Sequence, residues 1–316
     1  MVRFGVSLWQ EEFDLQGLKE AWRKIEDTGY DSAWLYDHFF PMSSQTSGYI
    51  LEPWTTLPSL AAETRRLRLG VLVTCNSFRY PSVLAKVAAS VDVMIGGRLE
   101  FGIGAGWYED EYIAYGILFP DAKTRIEQLA ESVELIKTIW TQDKASFRGK
   151  HYTVTDLVSY PKPLQKPHPP VWIGGKGDKI LRIAAQHADY VNFAGGSVQE
   201  FNQRLEVLKT QCVRAGRSFD EIGKTWNGFM IIGQKEEARR KALRLKQGLA
   251  NKRSREMSDE EFINRITAGP PEECVDQIQR YVDLGVTYFI PHFPFDQDLR
   301  TLEIFMDKVL PAFKRH

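Results

Sequence analysis

Asp37 and His38 follow an apolar run, Ser32 to Tyr36, and set a carboxylate beside the side chain best suited to moving protons near neutral pH. At a strand end His38 fits a general acid or base; a structural histidine is the plainer alternative. A second feature is VWIGGKG, Val171 to Gly177, which runs straight into a helix beginning near Asp178. A Gly-rich turn at a helix N-terminus aims unpaired N–H groups at one point, where the helix dipole favours an anion. Gly174, Gly175, Lys176 and Gly177 therefore read as a phosphate cradle with Lys176 as its point charge, against the alternative of a tight turn with an exposed lysine. Gly102, Gly104 and Gly106 alternate at the end of another run and precede Trp107. The spacing imitates a dinucleotide fingerprint, but no acidic residue closes a second strand about twenty residues on, so the Rossmann reading fails. Glycines there would let a flat ring approach the backbone, with Trp107 as a wall.

Absences narrow the chemistry further. No lysine falls within any predicted strand, which disfavours a Schiff-base mechanism and its rigidly held, desolvated amine. The first strand lacks a His-x-His, and the strand ends do not gather the ligands of a catalytic metal, so none is expected. Within the predicted strands the carboxylates are Glu100 and Asp189, with Asp37 just beyond, which is too sparse for glycoside hydrolysis. A G-x-S-x-G nucleophile motif is missing too. What remains is a bound organic cofactor that carries the chemistry itself. His151, His168 and His187 read as structural, and His292, in TYFIPHF, is a weaker candidate than His38.

These residues need a frame to hold them. Short runs rich in Val, Ile, Phe and Trp alternate with longer amphipathic stretches along the chain. The runs predict eight strands: Arg3 to Leu8, Ser32 to Tyr36, Leu67 to Cys75, Arg98 to Ile103, Val171 to Gly174, Ala188 to Phe193, Thr225 to Gly233 and Thr287 to His292. Between them, Leu15, Leu18, Trp22 and Ile25, and later Leu129, Val133, Ile136 and Trp140, recur at helical spacing. Gly29, Gly216 and Gly285 read as helix ends and Pro81 as a helix start. Eight strand-then-helix units fit a (β/α)8 TIM barrel, read as a single domain over residues 1–316. Two long connections, about 107–169 and 234–269, read as insertions over the C-terminal mouth. The first holds a helix from Lys123 to Trp140, a short hairpin and a Pro-rich stretch; the second is mostly charged helix.

Composition excludes whole classes of partner. With 41 Lys+Arg against 41 Asp+Glu the formal charge is zero, and the basic stretch from Arg239 to Arg255 is interleaved with Glu and Leu as on a solvated helix. Nucleic acid and membrane are therefore not expected partners. The N-terminus lacks a leader pattern, and no run of about 18 apolar residues occurs, so the expected location is cytoplasmic. The 3 cysteines, Cys75, Cys212 and Cys274, are far apart and read as free thiols.

Four segments together carry a family resemblance: SAWLYDHFFP at 32–41, VTCNSFRYPSVLAKVAASVD at 73–92, GGRLEFGIGAGWYEDEYIAYGI at 96–117 and HPPVWIGGKGDKILRIAAQHADYVN at 168–192. In order and over essentially the whole chain, the sequence resembles the luciferase-like monooxygenase superfamily, most of all its branch that uses the deazaflavin coenzyme F420. The resemblance implies a ring in the C-terminal mouth and a phosphate tail at Gly174 to Gly177. It implies a non-prolyl cis peptide at or beside Leu72-Val73, a bulge that supports the ring. Asp37 and His38 match the DHF motif, the aspartate holding the ring and the histidine lying near the hydride-transfer centre. Cys75 and Asn76 are expected to flank the cofactor, Gly106 and Trp107 to border it, and Ala194 to stand near its tail. Arg79 and Lys176 are the basic residues expected at a polyanionic tail. Relatives that oxidise a sugar phosphate place a tryptophan shortly after the histidine and a glutamate after the glycine run. Met42 and Trp107 stand there instead, which favours a more apolar substrate.

The expected activity is hydride transfer between deazaflavin C5 and a small alcohol or carbonyl, enone or imine. His38 is the expected acid or base, and Trp9, Met42, Trp107 and His292 are the expected pocket walls. A reduced-FMN monooxygenase of the same fold, served by a separate reductase, is the first alternative, and a non-catalytic flavin-binding protein is the second. Family habit implies a homodimer.

Overall fold

Val6, Ala33, Leu69, Val71, Ile103, Ile173 and Val191 have no solvent exposure, as strands covered outside by helices and closed upon themselves require. The computed structural model describes residues 2–42, 48–296 and 298–314. Its barrel strands are β1 Arg3–Ser7, β2 Ser32–Leu35, β3 Arg68–Cys75, β4 Leu99–Gly104, β5 Val171–Gly174, β6 Tyr190–Ala194, β7 Gly223–Ile232 and β8 Tyr288–His292. Each pairs in parallel with the next, and β8 returns to β1. This is the (β/α)8 TIM barrel read from the sequence.

The helices include α1 Leu15–Thr28, α2 Pro53–Ala61, α3 Pro81–Met94, α4 Glu109–Ala114, α5 Ala122–Thr141, α6 Asp178–His187, α7 Val198–Ala215 and α8 Lys235–Gly248. Then come α9 Lys252–Glu256, α10 Asp259–Ile263, α11 Pro271–Val282 and α12 Arg300–Ile304. Gly29 and Gly216 cap α1 and α7 in the left-handed conformation, and Pro81 opens α3. The predicted hairpin pairs Ala145–Arg148 with Thr153–Leu157. A short strand the sequence reading missed, Thr267–Gly269, pairs with β7. None of the described helices is long and apolar enough to cross a membrane.

Two strand boundaries correct the sequence reading. β6 begins at Tyr190, so Asp189 lies before it, and its carboxylate accepts the Val171 N–H at 2.8 Å. β7 begins at Gly223, so Lys224 does lie within a strand. Its Nζ donates to the Phe219 carbonyl at 2.8 Å, at the barrel end opposite the mouth, and so the chemistry of the mouth does not involve it.

At that lower end the core is aromatic and charged. Buried Glu100, its carboxyl pushed up by burial, accepts from Arg68 and from Trp172 Nε1 at 2.6 Å. Trp34 fits beside it because Gly70 has no side chain: a Cβ there would lie 2.5 Å from both the Trp34 ring and the Glu100 carbonyl. Gly70→Ala is therefore expected to destabilise the fold by about 1–3 kcal/mol through overpacking. Urea unfolding checks this, and an unchanged midpoint would mean that Trp34 repacks freely.

Candidate active site

A cavity of about 640 Å³ opens at the C-terminal strand ends. Asp37 and His38 reach it from the end of β2, Leu72, Val73 and Cys75 from β3, and Gly106 and Trp107 from the end of β4. Gly174, Gly175, Lys176 and Gly177 come from β5 and the turn after it, and Ala194 from β6. The other expected residues lie elsewhere. Asn76 is buried but does not line the cavity, and Trp9, Met42 and His292 are not among its lining residues either. Trp9 stacks on His292 with ring centres 4.5 Å apart and meets the edge of Tyr36, which does line the cavity. Met42 is a junction, not a wall: its carbonyl accepts the Ala250 N–H at 2.9 Å, joining the loop after β2 to the second insertion.

The peptide between Leu72 and Val73 is cis, and the β3–β4 register breaks between Val71 and Thr74. Val73 thereby turns inward onto glycines. A Cβ on Gly104 or Gly174 would lie 2.8 Å from its methyl carbons, and one on Gly102 would lie 3.2 Å away. Gly104 and Gly174 thus make room for Val73, while Gly102 faces the Val71 carbonyl, 2.3 Å from where a Cβ would lie. Gly106, at φ +76, has a different neighbour: a Cβ there would overlap the Tyr112 hydroxyl.

Asp37 is fully buried and accepts two bonds from Arg79, at 2.7 and 3.0 Å, and the Cys75 N–H at 2.8 Å. Burial pushes its carboxyl up, opposed by the Arg79 guanidinium and that N–H. Arg79 also bonds Glu52, the N-cap of α2. Arg79 therefore braces the loop after β2 and is not a tail cation, correcting the expectation. Cys75 Sγ lies 3.0 Å from the Tyr112 hydroxyl, and burial pushes the thiol up to about 12, so it packs as a neutral group.

His38 has a partner that the sequence reading missed. Its Nδ1 is 2.8 Å from Oε2 of Glu111, a residue of α4 with no solvent exposure. In sequence, Glu111 ends the acidic triplet 109–111, which looks like a solvated helix start. The His38 ring also meets Trp107 and Tyr108 edge-on, with centres 5.8 and 6.1 Å away.

At the other end, Lys176 is held below its ordinary value by burial first and then by nearby Arg204, Arg253 and Arg265. A second hollow, of about 320 Å³, shares Lys176 with the cavity and is lined by Arg204 and Arg253 together with Asp178 and Glu200. Arg265 bonds Glu200 at 2.7 Å and Arg204 donates to the Gly195 carbonyl at 2.8 Å. Arg253 comes from the basic stretch read as a solvated helix, so the second insertion supplies charge to this end. Such a concentration of cations around a Gly-rich turn suits an extended anion.

Known proteins agree with this frame. The chain is 27% identical over 335 residues to the F420-dependent glucose-6-phosphate dehydrogenase of Amycolatopsis mediterranei, covering 99% of each. It superposes on an F420-dependent secondary alcohol dehydrogenase, solved with an F420-acetone adduct, at TM-score 0.87 and 19% identity over 99% of each chain. The monooxygenase RslO1 of Streptomyces bottropensis gives TM-score 0.80 at 21% identity, over 99% of this chain and 100% of that one. Residues 1–288 match the luciferase-like monooxygenase family model, and the chain belongs to that family.

Proposed function

We propose that this chain is an F420-dependent oxidoreductase that moves a hydride between the deazaflavin and a small, largely apolar organic substrate, with His38 as general acid or base. One observation carries the reading: a single cavity runs from His38 to the Gly-rich turn and meets a cationic hollow at Lys176. When bound, F420 supplies a ring carbon, C5, that accepts or releases hydride.

The residues present fit that cofactor. The amides of Gly175 to Gly177 and Lys176 would hold the phosphate, and Arg204 and Arg253 the anionic groups beyond it. The Val73 bulge, backed by Gly104 and Gly174, forms the floor for a flat ring. FMN, with one phosphate, would draw on fewer of these cations. Tyr36, Trp107 and Tyr108 give His38 aromatic surroundings that favour an apolar substrate, such as an alcohol or its carbonyl, an enone or an imine. Trp107 stands where sugar-phosphate relatives are expected to carry an acid, which argues against a sugar phosphate here.

Equilibrium titration with F420 and with FMN, oxidised and reduced, tests the proposal through quenching of the 8 tryptophans. F420 is expected to bind at least about tenfold more tightly than FMN, a difference of about 1.4 kcal/mol. A preference for reduced FMN would move the chain to the oxygenases, and binding of neither would remove the cofactor reading.

A further inference from the structure

We infer that Glu111 is a positioning residue that fixes the tautomer of His38 and so presents the substrate with a proton acceptor. The inference rests on the hydride-transfer reading above. Glu111 divides its two oxygens between ring and backbone: Oε2 lies 2.8 Å from His38 Nδ1, while Oε1 accepts the N–H groups of Phe39 at 2.5 Å and Phe40 at 3.0 Å. One buried carboxylate thus sets both the ring and the loop that carries it. Two backbone N–H groups converge on Oε1, and a carboxylate has only acceptor atoms to offer, so Oε2 accepts from the ring and the neutral imidazole carries its proton on Nδ1. Nε2 has no hydrogen-bond partner among the described residues, and the ring borders the cavity beside Trp107 and Tyr108. The free atom of His38 is therefore a lone pair.

The consequence for the reaction is directional. In oxidation the substrate O–H proton would pass to Nε2 and the O–H electron pair would become the second C–O bond, while the carbinol C–H bond would give up its hydride to the oxidised cofactor when that is bound. The imidazolium left behind faces the Glu111 carboxylate. In reduction the imidazolium returns that proton to the carbonyl oxygen as hydride arrives at carbon.

Glu111→Gln separates positioning from mere packing. The amide is nearly isosteric, but has only one acceptor oxygen. That oxygen is needed by Phe39 and Phe40, so the amide nitrogen turns to His38 and donates. Nδ1 must then accept, the proton moves to Nε2, and the cavity meets a donor.

Nitrogen-15 NMR of histidine-labelled protein, with His38→Ala used for assignment, is expected to show the Nδ1–H tautomer in the native chain and the Nε2–H tautomer in Glu111→Gln. Alcohol oxidation is expected to fall about a hundredfold or more in the variant. F420 affinity should stay within about threefold, because no anion contact has changed. Glu111→Asp, which restores an acceptor, should recover the Nδ1–H tautomer and part of the turnover. A native chain with the Nε2–H tautomer overturns the inference, as does a Glu111→Gln protein with swapped tautomer and unchanged turnover. Failure of the native chain to bind F420 is a different result: it removes the oxidoreductase reading, whereas the native tautomer is read without cofactor.

Discussion

His38→Ala is expected to lower turnover about a hundredfold or more, the usual contribution of a positioned general acid or base. F420 affinity should change little, because the cationic end of the site lies at Lys176 after β5, Arg204 on α7 and Arg253 in the second insertion, away from the loop that carries His38. The two measurements together separate three readings. Lost turnover with kept affinity places His38 in proton transfer. Lost affinity would make it a cofactor contact, and unchanged turnover would remove it from the mechanism. A protein that binds flavin or deazaflavin but turns over no alcohol, enone or imine, with or without His38, would be a carrier.

The second large effect concerns stability. Arg79→Met should cost about 3–5 kcal/mol at neutral pH, because it leaves a buried carboxylate without its cation. Asp37 loses the guanidinium that bonds both its oxygens and keeps only the Cys75 N–H. The deficit has a predictable pH dependence. Burial already raises the Asp37 carboxyl in the native protein, and without Arg79 it rises further. In the unfolded chain it returns to about 3.9. Between those values the folded state binds a proton that the unfolded state does not, so stability grows as pH falls. Urea unfolding at about pH 7.5 and about pH 5.5 should show the variant's deficit shrinking at the lower pH. A deficit that is constant or grows would mean that Asp37 is not the group left unpaired.

The frame was legible because strands buried on both faces must be apolar and surface helices must be striped, and both periods survive in one dimension. Boundaries slipped where polar residues end a strand, as at Lys224, or precede one, as at Asp189. Asp37, His38 and the Gly174 to Gly177 turn were found because a barrel mouth is built from strand ends. The same rule also named Trp9 and His292, which stack on each other and do not line the cavity, since a strand end need not point into it; Met42, expected from the family resemblance, lies in a loop junction. Pairings were not legible at all. Glu111 lies 73 positions from His38 and Arg79 42 positions from Asp37, and a carboxylate or guanidinium on a predicted helix or loop looks solvated until the fold buries it. For the same reason Arg253 passed as surface decoration.

The floor of the cavity limits how this chain can diversify. Val73 fills the places that side chains at Gly104 and Gly174 would need, and the Val71 carbonyl blocks Gly102, so these glycines of β4 and β5 cannot gain a side chain without moving the bulge. Trp107 and Tyr108 in the first insertion, and Ala250 in the second, lie outside that constraint. New substrates can therefore be reached by rewriting the two insertions while the strands stay as they are. A library aimed at altered specificity should randomise those insertion residues and leave the glycines alone.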